Sequence, residues 1–157
     1  MKFLLLLSAF VLSSCSTIDA ELTKAISFGE ITDLNDYSKN IEKTLFVRLY
    51  RSPVYKENCF KETHGVCKYQ YFLSVSTFDE YPDIAIYKLS EQGEIKEIHW
   101  SRSGEIDTAI IEFTMNSFSD VALKNNSTLK PESKKLLVKV NPTNIEQSLT
   151  KQSTGLR

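Results

Sequence analysis

The sequence predicts a mainly β protein: an antiparallel meander of about six strands, folded as a small sandwich or a partial barrel, with one or two short helices. Three observations predict it. From Thr44 onward apolar residues recur at every second position, β-branched and aromatic residues fill those runs, and Gly, Ser and Pro punctuate them. Several strands carry aromatic residues on both faces, which argues against a single sheet with one bare side.

The elements follow in order. Residues 16–43 lack the two-residue period. Ile18, Leu22, Ala25 and Ile26 recur at helical spacing, and Asp33 is placed to cap a second helical turn through Ile41. Leu45, Val47 and Leu49 then alternate with Phe46, Arg48 and Tyr50 as the first strand. Tyr69, Tyr71, Leu73 and Val75 mark a second, and Asp83 to Leu89 a third. The turn signal Ser90 to Glu94 precedes Ile95 to Trp100, read as a return strand. A second turn, Ser101 to Glu105, leads into Ile106 to Met115. Val121, Ala122 and Leu123 suggest a short helix, and Lys134 to Asn141 is the last strand, followed by a polar tail. The β-rich domain is thus expected over 44–141, with 15–43 as a tether and 142–157 as the tail.

Composition excludes several functions. With 19 basic and 20 acidic residues the net charge is -1, so no basic nucleic-acid surface is expected. The five glycines stand at 29, 65, 93, 104 and 155, too far apart for GxGxxG, a phosphate-binding loop or GxSxG, and HExxH is also missing. No catalytic residue, cofactor or metal site is therefore assigned.

The N-terminus carries the strongest signal. Lys2 precedes Phe3 to Leu12, ten residues that are apolar except for Ser8. Ten helical residues span about 15 Å, half of a bilayer's hydrocarbon core, so the stretch reads as a signal peptide over 1–14 and not as a membrane span. Leu12-Ser13-Ser14-Cys15 resembles the lipobox of bacterial lipoproteins, a resemblance confined to residues 1–16. It implies cleavage before Cys15, diacylglycerol on its thiol and acylation of the new N-terminus. It also implies a protein anchored in the cell envelope, and Ser16 in place of aspartate implies the outer membrane.

Once Cys15 is assigned to the anchor, Cys59 and Cys67 remain as an even pair in an oxidising compartment, expected to form a disulfide across a hairpin loop. His64 between them leaves zinc as the rival reading, but no fourth ligand lies nearby. His99 beside Trp100 shares a strand face with Ile95 and Glu97, and Asp79, Glu80 and Asp83 crowd one turn; both read as surface features.

Tyrosines provide the remaining candidate site. Tyr50, Tyr55, Tyr69, Tyr71, Tyr87 and Trp100 fall on or beside neighbouring strands, and a subset on one exposed face would make a protein-contact surface. The expected function is a non-enzymatic binding module: an inhibitor, an immunity protein or an accessory subunit, with an envelope protein as partner. A small hydrolase using the acidic turn or His99, and a carrier of an apolar ligand, are the alternatives.

Overall fold

The computed structural model describes residues 20–38, 44–55, 65–118 and 131–151. The chain begins there with a helix, α1 (Ala20–Phe28), then strand β1 (Glu30–Asp33) and a 3-10 turn (Leu34–Ser38). Seven further strands follow: β2 (Leu45–Tyr55), β3 (Val66–Thr77), β4 (Ile84–Lys88), β5 (Glu94–Ser101), β6 (Ala109–Ser117), β7 (Glu132–Val140) and β8 (Ile145–Lys151). They form two four-stranded antiparallel sheets, β1-β2-β3-β4 and β5-β6-β7-β8, in which every pair is made by consecutive strands.

The meander is as expected, but eight strands replace six. β1 lies in the segment read as tether, because four residues, Glu-Ile-Thr-Asp, are too few to show a period. β8 lies in the segment read as tail. Its sequence is mostly polar because it is an edge strand, and only Ile145, Gln147 and Leu149 share a face with Val140, Val138 and Leu136. Asn141 builds the turn before it: its Oδ1 accepts from the backbone N–H groups of Thr143 and Asn144. The expected helix around Val121 to Leu123, and Cys15, Cys59 and His64, lie outside the described residues.

The alternation places one core between the sheets. Leu45, Val47 and Leu49 of β2 and Tyr71, Leu73 and Val75 of β3 face Ile111, Phe113 and Met115 of β6 and Leu136, Val138 and Val140 of β7 in a single buried cluster. Each such side chain, fully buried, contributes about 1.5–3 kcal/mol, so this layer dominates the stability.

Two turns differ from expectation. Ser90 to Glu94 is not a hairpin but the passage from one sheet to the other, since β4 and β5 belong to different sheets. The β5–β6 turn is wider than expected and leaves Ile106 at its exposed tip, so β6 begins at Ala109. Positive φ at Gly104 and Asp107, a Ser103 hydroxyl that accepts from Glu105 N–H and donates to its carbonyl, and a Thr108 hydroxyl bonded to the Ile106 carbonyl fix that shape.

A bulge corrects the reading of β5. The register shifts between Ile95 and Glu97, and the extra residue, Lys96, rotates Ile95 to the inner face beside Ile98 and Trp100. His99 therefore shares its outer face with Glu97 but not with Ile95, and stands exposed opposite Glu112.

Side-chain amides close the seams. β1 stops pairing at Asp33–Arg48, and Asn35 continues the ladder: its Nδ2 donates to the Leu45 carbonyl at 2.8 Å, and its Oδ1 accepts from Val47 N–H at 2.8 Å. At the corner between sheets, Tyr69 and Gly93 exchange backbone hydrogen bonds of 3.2 and 3.1 Å. Gln70 Nε2 there donates to the carbonyls of Tyr71 and Leu89, and Gln92 Nε2 donates to Gln70 Oε1. Along the β4–β8 side, Gln147 accepts from Ser90 N–H and donates to the Lys88 carbonyl, while the Tyr87 hydroxyl donates to the Asn141 carbonyl. Gly93 is required for closeness: a Cβ there would stand 2.5 Å from the Asn116 carbonyl oxygen.

Two substitutions measure these seams in urea unfolding. Asn35→Ala strands two buried backbone groups and is expected to destabilise by about 2–4 kcal/mol. Gly93→Ala forces the strands apart, an overpacking expected to cost about 1–3 kcal/mol. An unchanged midpoint for Asn35→Ala would show that its amide is not holding the β2 edge.

Candidate interaction surface

The two sheets differ on their outer faces. On the second sheet the register sets Glu97, His99, Glu112, Thr114, Lys135 and Lys139 outward. Lys135 pairs with Glu112 at 2.6 Å, and Lys139 with Glu105 at 2.7 Å. Leu137, 42% exposed, and the half-buried Ile110 are the large apolar side chains among them. This is an ordinary wet face.

The first sheet carries large apolar side chains on its outer face as well, set among Arg48, Ser52, Gln70, Ser74, Ser76 and Lys88. Helix α1 lies across one end, over β2 and β3, with Ala25 fully buried; on the outer face there Phe72 is 2% exposed, and Ser52 and Gln70 are also buried. At the surface Glu21 of the helix pairs with Lys88 of β4, and Glu30 of β1 pairs with Arg51 across the strands. Gly29 ends the helix against the sheet, where a Cβ would meet the Arg51 carbonyl at 2.5 Å.

The other end of that face is uncovered by any described residue. Ile84 pairs with Ser76, which pairs with Phe46; Ile86 pairs with Ser74, which pairs with Arg48. The two small serines make a low strip between two isoleucines on one side and Phe46 and Arg48 on the other. Phe78 packs edge-on against Phe46 with ring centroids 5.8 Å apart, and the Arg48 guanidinium lies 4.3 Å from the same ring. Ile84 is 65% exposed and Phe78 59%, with Ile86 and, on β1, Ile31 also in solvent. These side chains make an exposed apolar cluster on this face.

The six aromatic residues singled out in the sequence are divided by the structure. Tyr71 is a core residue, 2% exposed, whose hydroxyl accepts from Ile95 N–H at 3.2 Å, so it offers no contact surface. Tyr69, Tyr87 and Trp100 are partly buried against the core, because they stand on inner-face positions. Tyr50 is half-buried on the outer face of β2, and Tyr55 is exposed at its end with Lys24 over its ring. Phe46, Phe78, Ile84 and Ile86 were not singled out. Their signal was present, since Ile84 to Tyr87 is apolar at every position, but the sequence does not show which parity faces the core.

Cys67 lies in β3, and the β2–β3 hairpin that a Cys59–Cys67 disulfide would staple is formed, with Tyr55 opposite Val66. Asp79, Glu80 and Asp83 are exposed, and no three His, Cys, Asp or Glu side chains among the described residues are grouped to hold a metal. An open cleft of about 420 Å³ runs between the β1 and β5 sides of the sandwich, past Arg51, Tyr71, Ile95 and Lys96. Arg51 is engaged there with Glu30 and with the Tyr69 ring at 4.5 Å.

Burial raises the Tyr71 phenol above the usual tyrosine range, against a smaller opposing pull from the Ile95 hydrogen bond. The consequence is alkaline. Below pH about 10 both folded and unfolded chains keep the proton, and above it the unfolded chain releases its proton first, so stability falls as pH rises. Tyr71→Phe is expected to make that alkaline loss shallower, while costing about 1 kcal/mol at pH 7 for the unpaired Ile95 N–H. Tyr87, raised by the same cause, preserves part of the slope. Urea midpoints measured across pH 8–12 check this, and an unchanged alkaline slope in the variant would contradict it.

No protein-family model, curated protein or solved structure matches the chain.

Proposed function

We propose that this protein is an outer-membrane lipoprotein, held by a lipid on Cys15, that acts without catalysis by binding another envelope protein through the uncovered outer face of its first sheet. The observation that carries the reading is the asymmetry between the two outer faces. Ile84, Ile86, Phe78 and Ile31 stand in water on one sheet, whereas on the other Leu137 stands among the paired charges of Lys135, Glu112, Lys139 and Glu105. Full burial of each such side chain contributes about 1.5–3 kcal/mol, so a few of them suffice as anchors at the centre of an interface.

The N-terminal sequence supports the location. Helix α1 starts at Ala20, five residues beyond Cys15, and five extended residues reach at most about 18 Å. A lipid at Cys15 would hold the domain close to the bilayer. Anchoring both partners to one membrane raises their effective concentration, so a modest patch can serve.

Two variants of the full chain test the two halves of the reading. Cys15→Ser is expected to block processing or release the protein from the membrane fraction, and a variant that still fractionates normally with membranes would overturn the anchor. Detergent-solubilised wild type used as bait is expected to retain a partner that Phe78→Glu loses and Leu137→Glu keeps. Equal capture by all three, or none above background together with cleavage of a cell-wall substrate by the purified protein, would overturn the binding role.

A further inference from the structure

We infer that β4 pairs edge to edge with β4 of a second copy of this chain, making one continuous eight-stranded sheet across a two-fold axis. The inference shares the apolar face with the proposed function but depends on neither the lipid nor the envelope location.

The hydrogen-bond phase of β4 gives the first argument. Thr77 N–H donates to the Asp83 carbonyl and Leu89 N–H to the Tyr71 carbonyl, so the odd-numbered residues of this segment direct their backbone groups toward β3. Ile84, Ile86 and Lys88 therefore direct theirs away from it. No strand among the described residues lies beyond β4, and of these outward groups the Lys88 carbonyl is met by Gln147. A two-fold centred on Ile86 sets Ile86 opposite Ile86 of the second copy in a hydrogen-bonded pair, with Ile84 opposite Lys88 on each side, where Gln147 yields the Lys88 carbonyl to the Ile84 N–H of the second copy. The even spacing keeps outer-face side chains on the outer face of both copies.

Charge supplies the second argument. The strand has acids at its N-terminal end, Asp79, Glu80 and Asp83, while beyond its C-terminal end the Lys88–Glu21 and Lys134–Glu91 pairs leave no net charge. Antiparallel pairing brings the acidic turn of each copy to the exposed Lys88–Glu21 pair of the other, where Lys88 can exchange partners. The isoleucines supply the third. Ile84 and Ile86 stand at the outer margin of the apolar strip, and the two-fold joins the strips of both copies over the new seam.

The other edges are less suited. β5 carries its bulge at Lys96, β1 is four residues long with Glu30 and Asp33 at its ends, and β8 presents Glu146, Ser148 and Thr150 outward. Pro82 and the acids before β4 confine pairing to its five residues. An isologous pair uses both edges at once, so association stops at two.

The full chain in detergent tests this by light scattering across a dilution series. Wild type is expected at twice the chain mass, and Ile86→Lys, which opposes two like charges at the axis, at the single mass with dimer affinity weakened ~100-fold. Leu137→Lys, on the other sheet, is expected to remain dimeric. Ile86→Cys is expected to cross-link under mild oxidation, because hydrogen-bonded antiparallel partners stand about 5.5 Å apart at Cα, within disulfide reach. Monomeric wild type throughout the series, or Ile86→Cys cross-linking no better than Leu137→Cys, would overturn the pairing. Partner capture lost in Phe78→Glu while wild type is monomeric would leave the binding role standing without it.

Discussion

The first sheet carries large apolar side chains on both faces, those of the outer face set among Arg48, Ser52, Gln70, Ser74 and Ser76, and much of the molecule follows from that constraint. One face is satisfied by the second sheet through the core that Val47, Leu73, Phe113 and Val138 share. The other must be satisfied by something else. Helix α1 buries Phe72 at one end with Ala25 and Gly29 at the contact, and Ile84, Ile86, Phe46 and Phe78 are left at the other. The second sheet had no such need. Its outer face carries the Lys135–Glu112 pair and His99, and it faces water as most antiparallel sheets do.

The sandwich is closed by side-chain amides more than by strand pairing. Asn35 occupies the β2 edge beyond β1, Gln147 bridges β4 to β8, and Gln70 holds the corner where Gly93 lets the chain cross between sheets. These groups offer the donor and acceptor of a peptide on a short side chain. They satisfy backbone groups where a twisted sheet can no longer supply a neighbouring strand. Where β4 runs on from Gln147 toward Ile84, that protection ends.

Much of the fold was legible because a strand buried on one face repeats every two residues, as Leu45, Val47 and Leu49 do, and the signal survives without tertiary information. β1 and β8 were not legible: the first is shorter than the pattern needs, and the second, at an edge, buries too little to be apolar. The bulge at Lys96 was hidden for a different reason. A single inserted residue inverts the phase of everything on one side of it, and no residue type announces it. The candidate surface was half legible. Aromatic and aliphatic residues on both faces of β2, β3 and β4 are plain in the sequence, but it does not show that Phe78, Ile84 and Ile86 are exposed while Tyr69, Tyr71 and Tyr87 pack against the core. Tyr71 shows why, since a phenol that finds a backbone N–H can be buried entirely.

The central claim is that the uncovered outer face of the first sheet is where this protein meets another macromolecule. A photo-cross-linking side chain placed at position 84 in the full-length protein, and at position 137 as the matching site on the second sheet, tests it most directly in living cells. The account predicts discrete protein adducts from position 84 and none above background from position 137. Adducts of equal yield from both positions, or from 137 alone, would contradict it.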